Sequence, residues 1–285
     1  MIRTMRHTSL FYSHFARAAL GGLMALAAQH AWSGQTTEIY GGRNAIVYTP
    51  TKLAPSGQRA LVVVLHGGLG NAQRIGDGRS ESALNMDAVA ERGGFVVAYL
   101  SGTPVARMLS AERLGWNAGD CCGQPAEKHV DDVGYIQATA LAIADRYGVD
   151  RSRIYGLGHS NGAMMTQRMV CETTLYAAAA SVSGTLENGA TNCAAARGKT
   201  ILALHGREDQ NVPIDGGRGT KGLSRTAYTS QAATAQVWQN SGATYQLQIV
   251  DGADHSVDAI DAQLRKTEGQ SLGQKVARFF GLLPR

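Results

Sequence analysis

Dense apolar runs recur along the chain, and the apolar residues between them fall at helical spacing. "ALVVVLHGG" (60–68) is a β-branched run closed by glycines, the pattern of a strand buried on both faces. "FVVAYL" (95–100), "RIYGLG" (153–158), "AAAASVSG" (177–184), "TILALHG" (200–206) and "TYQLQIV" (244–250) continue the series. Helices are predicted in the intervals. "VDDVGYIQATALAIADRYG" (130–148) is the longest, with Asp131 or Asp132 as its cap. "AMMTQRMVCE" (163–172), "TSQAATAQVWQN" (229–240) and a last stretch near 271–281 follow it. Strands alternating with helices predict an α/β fold, a mostly parallel central sheet flanked by helices. No repeat, low-complexity tract or Pro/Ser-rich linker interrupts the pattern, so residues 34–285 are expected to form a single domain.

The first 33 residues obey a different rule. Arg3, Arg6 and Arg17 lead into "AALGGLMALAA" (18–28) and then Ala31-Trp32-Ser33, the basic leader, apolar centre and small-residue end of a cleaved signal peptide. The apolar stretch is far shorter than the ~20 residues that span a bilayer; an anchor or an ordinary first helix is the competing reading. Export is therefore expected, to the periplasm or beyond, with no membrane partner after cleavage. The leader also changes the charge picture. The formal charge is +5, and without the three leader arginines it is +2, too little to draw nucleic acid.

Cys121, Cys122, Cys171 and Cys193 all lie in the exported part, where an oxidising compartment favours disulfides and three pairings are possible. Cys171 and Cys193 bracket a segment of moderate length and are the expected pair; a ring between the adjacent Cys121 and Cys122 is strained. Zinc is the alternative, but no C-x-x-C spacing or histidine cluster accompanies these residues, and neither metal nor cofactor is expected.

Candidate chemistry concentrates at "GLGHSNGAM" (156–164). A serine between glycines, after a strand and before a helix, is the elbow that raises a nucleophile above a sheet edge. Gly158 and Gly162 suit that turn because a β-carbon there would strike neighbouring backbone, and the helix N-terminus favours developing negative charge. A glycine-rich turn holding a phosphate is the competing reading. Ser160 needs a base, and the base an acid to orient it, in the chain order serine, acid, histidine. Only His205 and His255 of the eight histidines lie beyond Ser160. His205 sits inside the strand end "LALHG", a poor place for the base; His255, in "DGADHSVDA", follows the last strand on a loop able to fold back over the sheet. The acid is expected after "TILALHG", where "REDQNVP" offers Asp209, with Glu208 as the fallback. Asp254 is the weaker choice, because side chains adjacent in sequence diverge. Backbone amides of Asn161 and of Gly68 in "HGGLGN" (66–71), with Leu69 next, are the expected oxyanion donors.

With these residues in place, the chain resembles the secreted esterases related to polyhydroxybutyrate depolymerases and feruloyl esterases, members of the α/β-hydrolase fold. The resemblance runs from Tyr40 to the C-terminus through "LHGGLGN" (65–71), "WNAGDCCG" (116–123), "VDDVGYI" (130–136), "GHSNGAMM" (158–165), "HGREDQNVPIDGG" (205–217) and "VWQNSGA" (237–243). It implies Ser160 as nucleophile, Asp209 as acid and His255 as base. The histidine loop departs from the family pattern, which often has glycines before this histidine and a tryptophan two residues after it. Here Asp254 precedes His255, and Val257 stands where the tryptophan would be. Trp116 and the nearby "CCG" are expected to form a wall of the substrate site, where an aromatic face suits a cinnamoyl or other apolar acyl group; core beneath a long loop is the other place for Trp116.

The expected function is hydrolysis of a carboxylic ester, a feruloyl-type plant-wall ester or a short polyhydroxyalkanoate. Ending at Arg285 with no linker or second domain, the sequence favours a soluble or oligomeric ester over a solid polyester. A serine peptidase and a catalytically silent exported binding protein are the alternatives on the same fold.

Overall fold

In the computed structural model the apolar runs become the middle of an eight-stranded sheet. Its strands in chain order are β1 (Gly34–Tyr40), β2 (Arg43–Thr49), β3 (Arg59–Leu65), β4 (Val96–Leu100), β5 (Val149–His159), β6 (Ala178–Val182), β7 (Thr200–Gly206) and β8 (Thr244–Val250). They lie in the order β1-β2-β4-β3-β5-β6-β7-β8. β2 runs antiparallel to β1 and β4, and the remaining neighbours are parallel. The structure describes residues 34–79, 84–106, 111–222 and 226–284, all within the compact unit Ala31–Arg285. The expected export leader lies outside the described residues.

All six expected strands are present, β7 and β8 to the residue, and β5 begins at Val149 rather than Arg153. The hairpin of β1 and β2 was not anticipated. β1 is a sheet edge whose residues are mostly polar and partly exposed, so no apolar run marks it. β3 has the opposite character: Leu61, Val63 and Leu65 face one core, Val62 and Val64 the other, and all five are fully buried. Each such side chain gains roughly 2 kcal/mol on burial, so β3 anchors both layers.

The described helices are α1 (Ala72–Gly76), α2 (Asp87–Gly93), α3 (Gly123–Glu127), α4 (Asp132–Tyr147), α5 (Asn161–Glu172), α6 (Gln231–Asn240), α7 (Val257–Glu268) and α8 (Leu272–Phe279). Buried residues of α4, α5 and α6 pack on one sheet face, and those of α1, α2, α7 and α8 on the other. The periodicity of α7 was legible though not read: Val257, Ile260 and Leu264 recur at helical spacing and are all buried. Asp131 caps α4, accepting from the Gly134 amide at 2.8 Å. Asp132 instead turns inward, accepts from the Asn117 amide at 2.7 Å and pairs with Arg43.

Cys171 and Cys193 form the expected disulfide, tying the end of α5 to a short turn at Ala194–Ala196. Cys121 and Cys122 are joined as well, which leaves no free cysteine for the zinc alternative. Among the described residues no helix is long and apolar enough to cross a membrane.

Candidate active site

The parallel strands deliver the chemistry to one edge of the sheet. β5 ends at His159 and α5 begins at Asn161, so Ser160 alone makes the turn, at φ 54° and ψ −124°. A non-glycine residue holds such a left-handed φ only where its surroundings enforce it. Here they do: a β-carbon on Gly158 would sit 2.2 Å from the Gly162 carbonyl oxygen, and one on Gly162 2.3 Å from that of Leu65. Ser160 occupies the N-cap of α5, yet its side chain makes no capping bond. Its Oγ lies 2.9 Å from His255 Nε2 instead.

His255 Nδ1 lies 2.7 Å from Asp209 Oδ2. Asp209 Oδ1 accepts from the Asn211 and Val212 amides at 2.8 and 2.9 Å, which fixes the carboxylate plane. Burial opposes the Asp209 charge, but hydrogen bonds from His205 and His255, with the Val212 amide, outweigh it and hold the carboxyl well below the usual carboxylate range. The three side chains predicted from the sequence thus form one continuous chain of hydrogen bonds. Such a relay is able to take the hydroxyl proton as Ser160 attacks an electrophile.

The other acidic candidates have different work. Glu208 accepts from the Gly252 amide at 3.1 Å, and the Glu208 amide donates to the Ala253 carbonyl at 3.0 Å, so the acid and histidine loops are laced together. A β-carbon on Gly206 would lie 2.1 Å from the Asp254 carbonyl oxygen, which shows how closely the histidine loop crosses β7. Asp254 caps the turn into α7, accepting from the Ser256 amide and hydroxyl at 2.9 and 2.8 Å.

Two histidines that sequence reasoning passed over sit beside this chain. His159 is buried, and its Nε2–H donates to the His255 backbone carbonyl at 2.9 Å; burial, then the neighbouring His255, lowers its pKa to about 3. His205, set aside as a base, lies beneath Asp209 with Nε2 3.1 Å from Oδ2 and 2.9 Å from the Val212 carbonyl. Its Nδ1 meets Gln231 Nε2 at 2.6 Å. Gln231 Nε2 also donates to the Gly184 carbonyl at 3.1 Å, and Gln231 Oε1 accepts from Tyr245 at 2.7 Å. A carbonyl accepts only, so the Gln231 amide is oriented, His205 Nδ1 must accept, and the proton sits on Nε2 facing Asp209. The available signal was the spacing of His205 and Asp209, four residues apart across a strand end.

Ser160 and His255 open onto a cleft of about 730 Å³ whose lining includes Gly68, Leu69, Asn161, Cys122, Gly123 and Met164. Both expected oxyanion donors therefore border the cleft. Trp116 is not among its lining residues, which corrects the expectation that this residue forms a wall of the substrate site. The indole is fully buried against His66 and Tyr135, and its Nε1–H donates to the His66 carbonyl at 2.9 Å. Of the expected wall only Cys122 and Gly123 reach the cleft.

An S-formylglutathione hydrolase from Agrobacterium tumefaciens superposes with a TM-score of 0.57 at 15% identity, over 86% of this chain and 92% of that one. The fold is that of the α/β-hydrolases. The strand order and the single antiparallel pairing on each side of β2 agree with it. Among curated proteins, this chain is 30% identical to a protein named putative esterase NocK from Nocardia uniformis subsp. tsuyamanensis, over 55% of this chain and 42% of that protein. It is 27% identical to a feruloyl esterase B from Neurospora crassa, over 78% of this chain and 69% of that protein. The chain thus spans less than half of the first relative's length. No protein-family model matches it. The resemblance read from the motifs agrees with these names, since the curated relatives are described as esterases.

Proposed function

We propose that this α/β-hydrolase is an exported serine carboxylic ester hydrolase in which Ser160 is the nucleophile, His255 the base and Asp209 the acid. One observation carries the reading: the unbroken path from Ser160 Oγ to His255 at 2.9 Å and on to Asp209 at 2.7 Å. Ser160 Oγ bonds to the ester carbonyl carbon while its proton passes to His255 Nε2. The carbonyl oxygen becomes an oxyanion held by the Gly68 and Asn161 amides. Collapse breaks the bond to the alcohol oxygen, which leaves with the proton from His255. Water then adds to the acyl-enzyme by the same route, and the carboxylic acid departs as Ser160 regains its proton.

Apolar side chains at Leu69, Val105, Met164 and Val212 in the cleft suit an aryl or short hydroxyalkanoyl group, and the relative named feruloyl esterase B agrees with an aromatic acyl ester. The two disulfides support export, because they persist in an oxidising compartment. The test is hydrolysis of p-nitrophenyl acetate and butyrate, methyl ferulate, a 3-hydroxybutyrate trimer and a peptide p-nitroanilide by the parent and its Ser160→Ala variant. Ester turnover that disappears in the variant is expected, and the preferred ester names the subclass. Negligible rates in both, or preference for the anilide, would overturn the esterase reading.

A further inference from the structure

The most distinctive segment of the sequence, "WNAGDCCG", contributes no side chain to the triad, and its tryptophan faces away from the cleft. Three hydrogen bonds of Trp116 nevertheless lead to the two stretches that would hold an oxyanion. The Asn161 side chain grips the Trp116 backbone from both sides: Oδ1 accepts from the Trp116 amide at 2.7 Å and Nδ2 donates to the Trp116 carbonyl at 3.1 Å. That carbonyl also accepts from the Cys122 amide at 3.2 Å. Towards the other loop, the indole Nε1–H donates to the His66 carbonyl at 2.9 Å, and the Leu114 amide donates to the Gly70 carbonyl at 3.0 Å. His66 completes the path, its Nδ1 2.7 Å from the Gly67 carbonyl and its Nε2 accepting from the Gly102 amide at 3.0 Å.

We propose that Trp116 is a positioning residue for the oxyanion hole. It ties Asn161 on α5 to the 66–70 loop after β3, and so fixes the separation of the Asn161 and Gly68 amides. The inference rests on the esterase reading above. Three features make the tie rigid. Trp116 and Asn161 are 0% and 3% exposed, so water does not compete for these bonds. The segment beyond Trp116 is anchored independently, with the Asn117 amide on Asp132 at 2.7 Å and the Asn117 carbonyl on Arg168 at 2.8 Å. A β-carbon on Gly115 would come 3.2 Å from Asn161 Oδ1, which leaves the clasp little room to slide.

The test compares the parent with Trp116→Phe, which deletes the indole N–H, and with Asn161→Asp, which keeps Oδ1 and loses the Nδ2 donor. Phenylboronic acid is the probe. Ser160 Oγ bonds to its trigonal boron, the serine proton passes to His255, and the resulting tetrahedral anion presents an oxygen to the hole as the ester intermediate does. Removing an oxyanion donor outright costs about 10²–10³ in kcat, so a displaced donor should cost on the order of tenfold. Each variant is expected to lose about that factor in kcat on p-nitrophenyl acetate and to bind phenylboronic acid weaker by the same factor, with KM within about twofold. Labelling of Ser160 by a fluorophosphonate checks that each variant is folded. Kcat and boronic-acid affinity at parental levels, with only the melting temperature lowered, would overturn the proposal in favour of a purely structural tryptophan. KM rising in step with the loss of kcat/KM would overturn it too, because that is the mark of lost ground-state binding. If one variant fails to fold, the other breaks the same clasp from its opposite side. A parent that neither turns over esters nor binds the boronic acid would overturn the esterase reading itself, an outcome visible before any variant is made.

Discussion

Lowering the pH from 7 to 5 should unfold this protein more readily, and two buried histidines set the size of the effect. Burial lowers His66 to about 4 and His159 to about 3, against 6.5 for a free imidazole. Between those values the unfolded chain binds protons that the folded chain refuses, so stability falls as the pH drops. Their contribution to the loss begins near pH 6.5 and is complete once the folded histidines protonate at 3 to 4. At pH 5 each histidine withholds about 1.8 kcal/mol relative to pH 7, about 3.5 kcal/mol for the pair. For a domain of this size that is a fall of roughly 10 °C in melting temperature. Urea unfolding at pH 7, 6 and 5 measures it directly. His159→Gln keeps a donor near the His255 carbonyl, and His66→Asn keeps one near Gly67; each should reduce the slope by about 1.4 kcal/mol per pH unit whatever it does to absolute stability. A flat profile in the parent, or slopes untouched by both substitutions, would refute the reasoning.

Asp209→Asn should lower kcat by about four orders of magnitude, because the amide holds His255 in the wrong tautomer. Glu208→Gln and Asp254→Asn, which touch only loop backbone and a helix cap, should stay within roughly threefold in kcat on p-nitrophenyl butyrate; a large loss in either would reassign the acid. Replacing both Cys171 and Cys193 by serine should remove about 3 kcal/mol of stability, since the bridge closes a loop of sequence separation 22. Thermal unfolding should record it as a fall of roughly 6–12 °C, and a shift under ~2 °C would refute the assignment.

The legible features were those written along the chain. A strand, a glycine-flanked serine and a helix are consecutive, so the elbow shows in nine letters, and the order of acid and histidine follows from the fold once the elbow is accepted. The sheet interior was legible for the same reason, because strands buried on both faces are apolar without interruption. β1 escaped notice because an edge strand needs no such run. Trp116 was misplaced for another reason: an aromatic residue before a glycine-rich loop reads alike whether it faces a cleft or a core. What decides is the partner of its N–H, the His66 carbonyl, fifty positions away in the chain.

The same blindness hid the use made of the other histidines. Only one histidine is needed as a base, so the remainder looked incidental, yet three of them are buried at the site and each donates to the backbone of a different functional loop. His66 bonds the Gly67 carbonyl of the loop after β3, His159 the His255 carbonyl of the loop before α7, and His205 the Val212 carbonyl of the loop after β7. Imidazole suits this work because it is a rigid ring that offers one donor and one acceptor. His66 uses both, its Nε2 accepting from Gly102, and so does His205, its Nδ1 accepting from Gln231. Among the described residues His159 Nδ1 has no hydrogen-bond partner, although it is buried at the cleft lining. Histidines outside the proposed triad thus hold the loops that present Ser160, His255 and Asp209, and no motif along the chain marks them for that work.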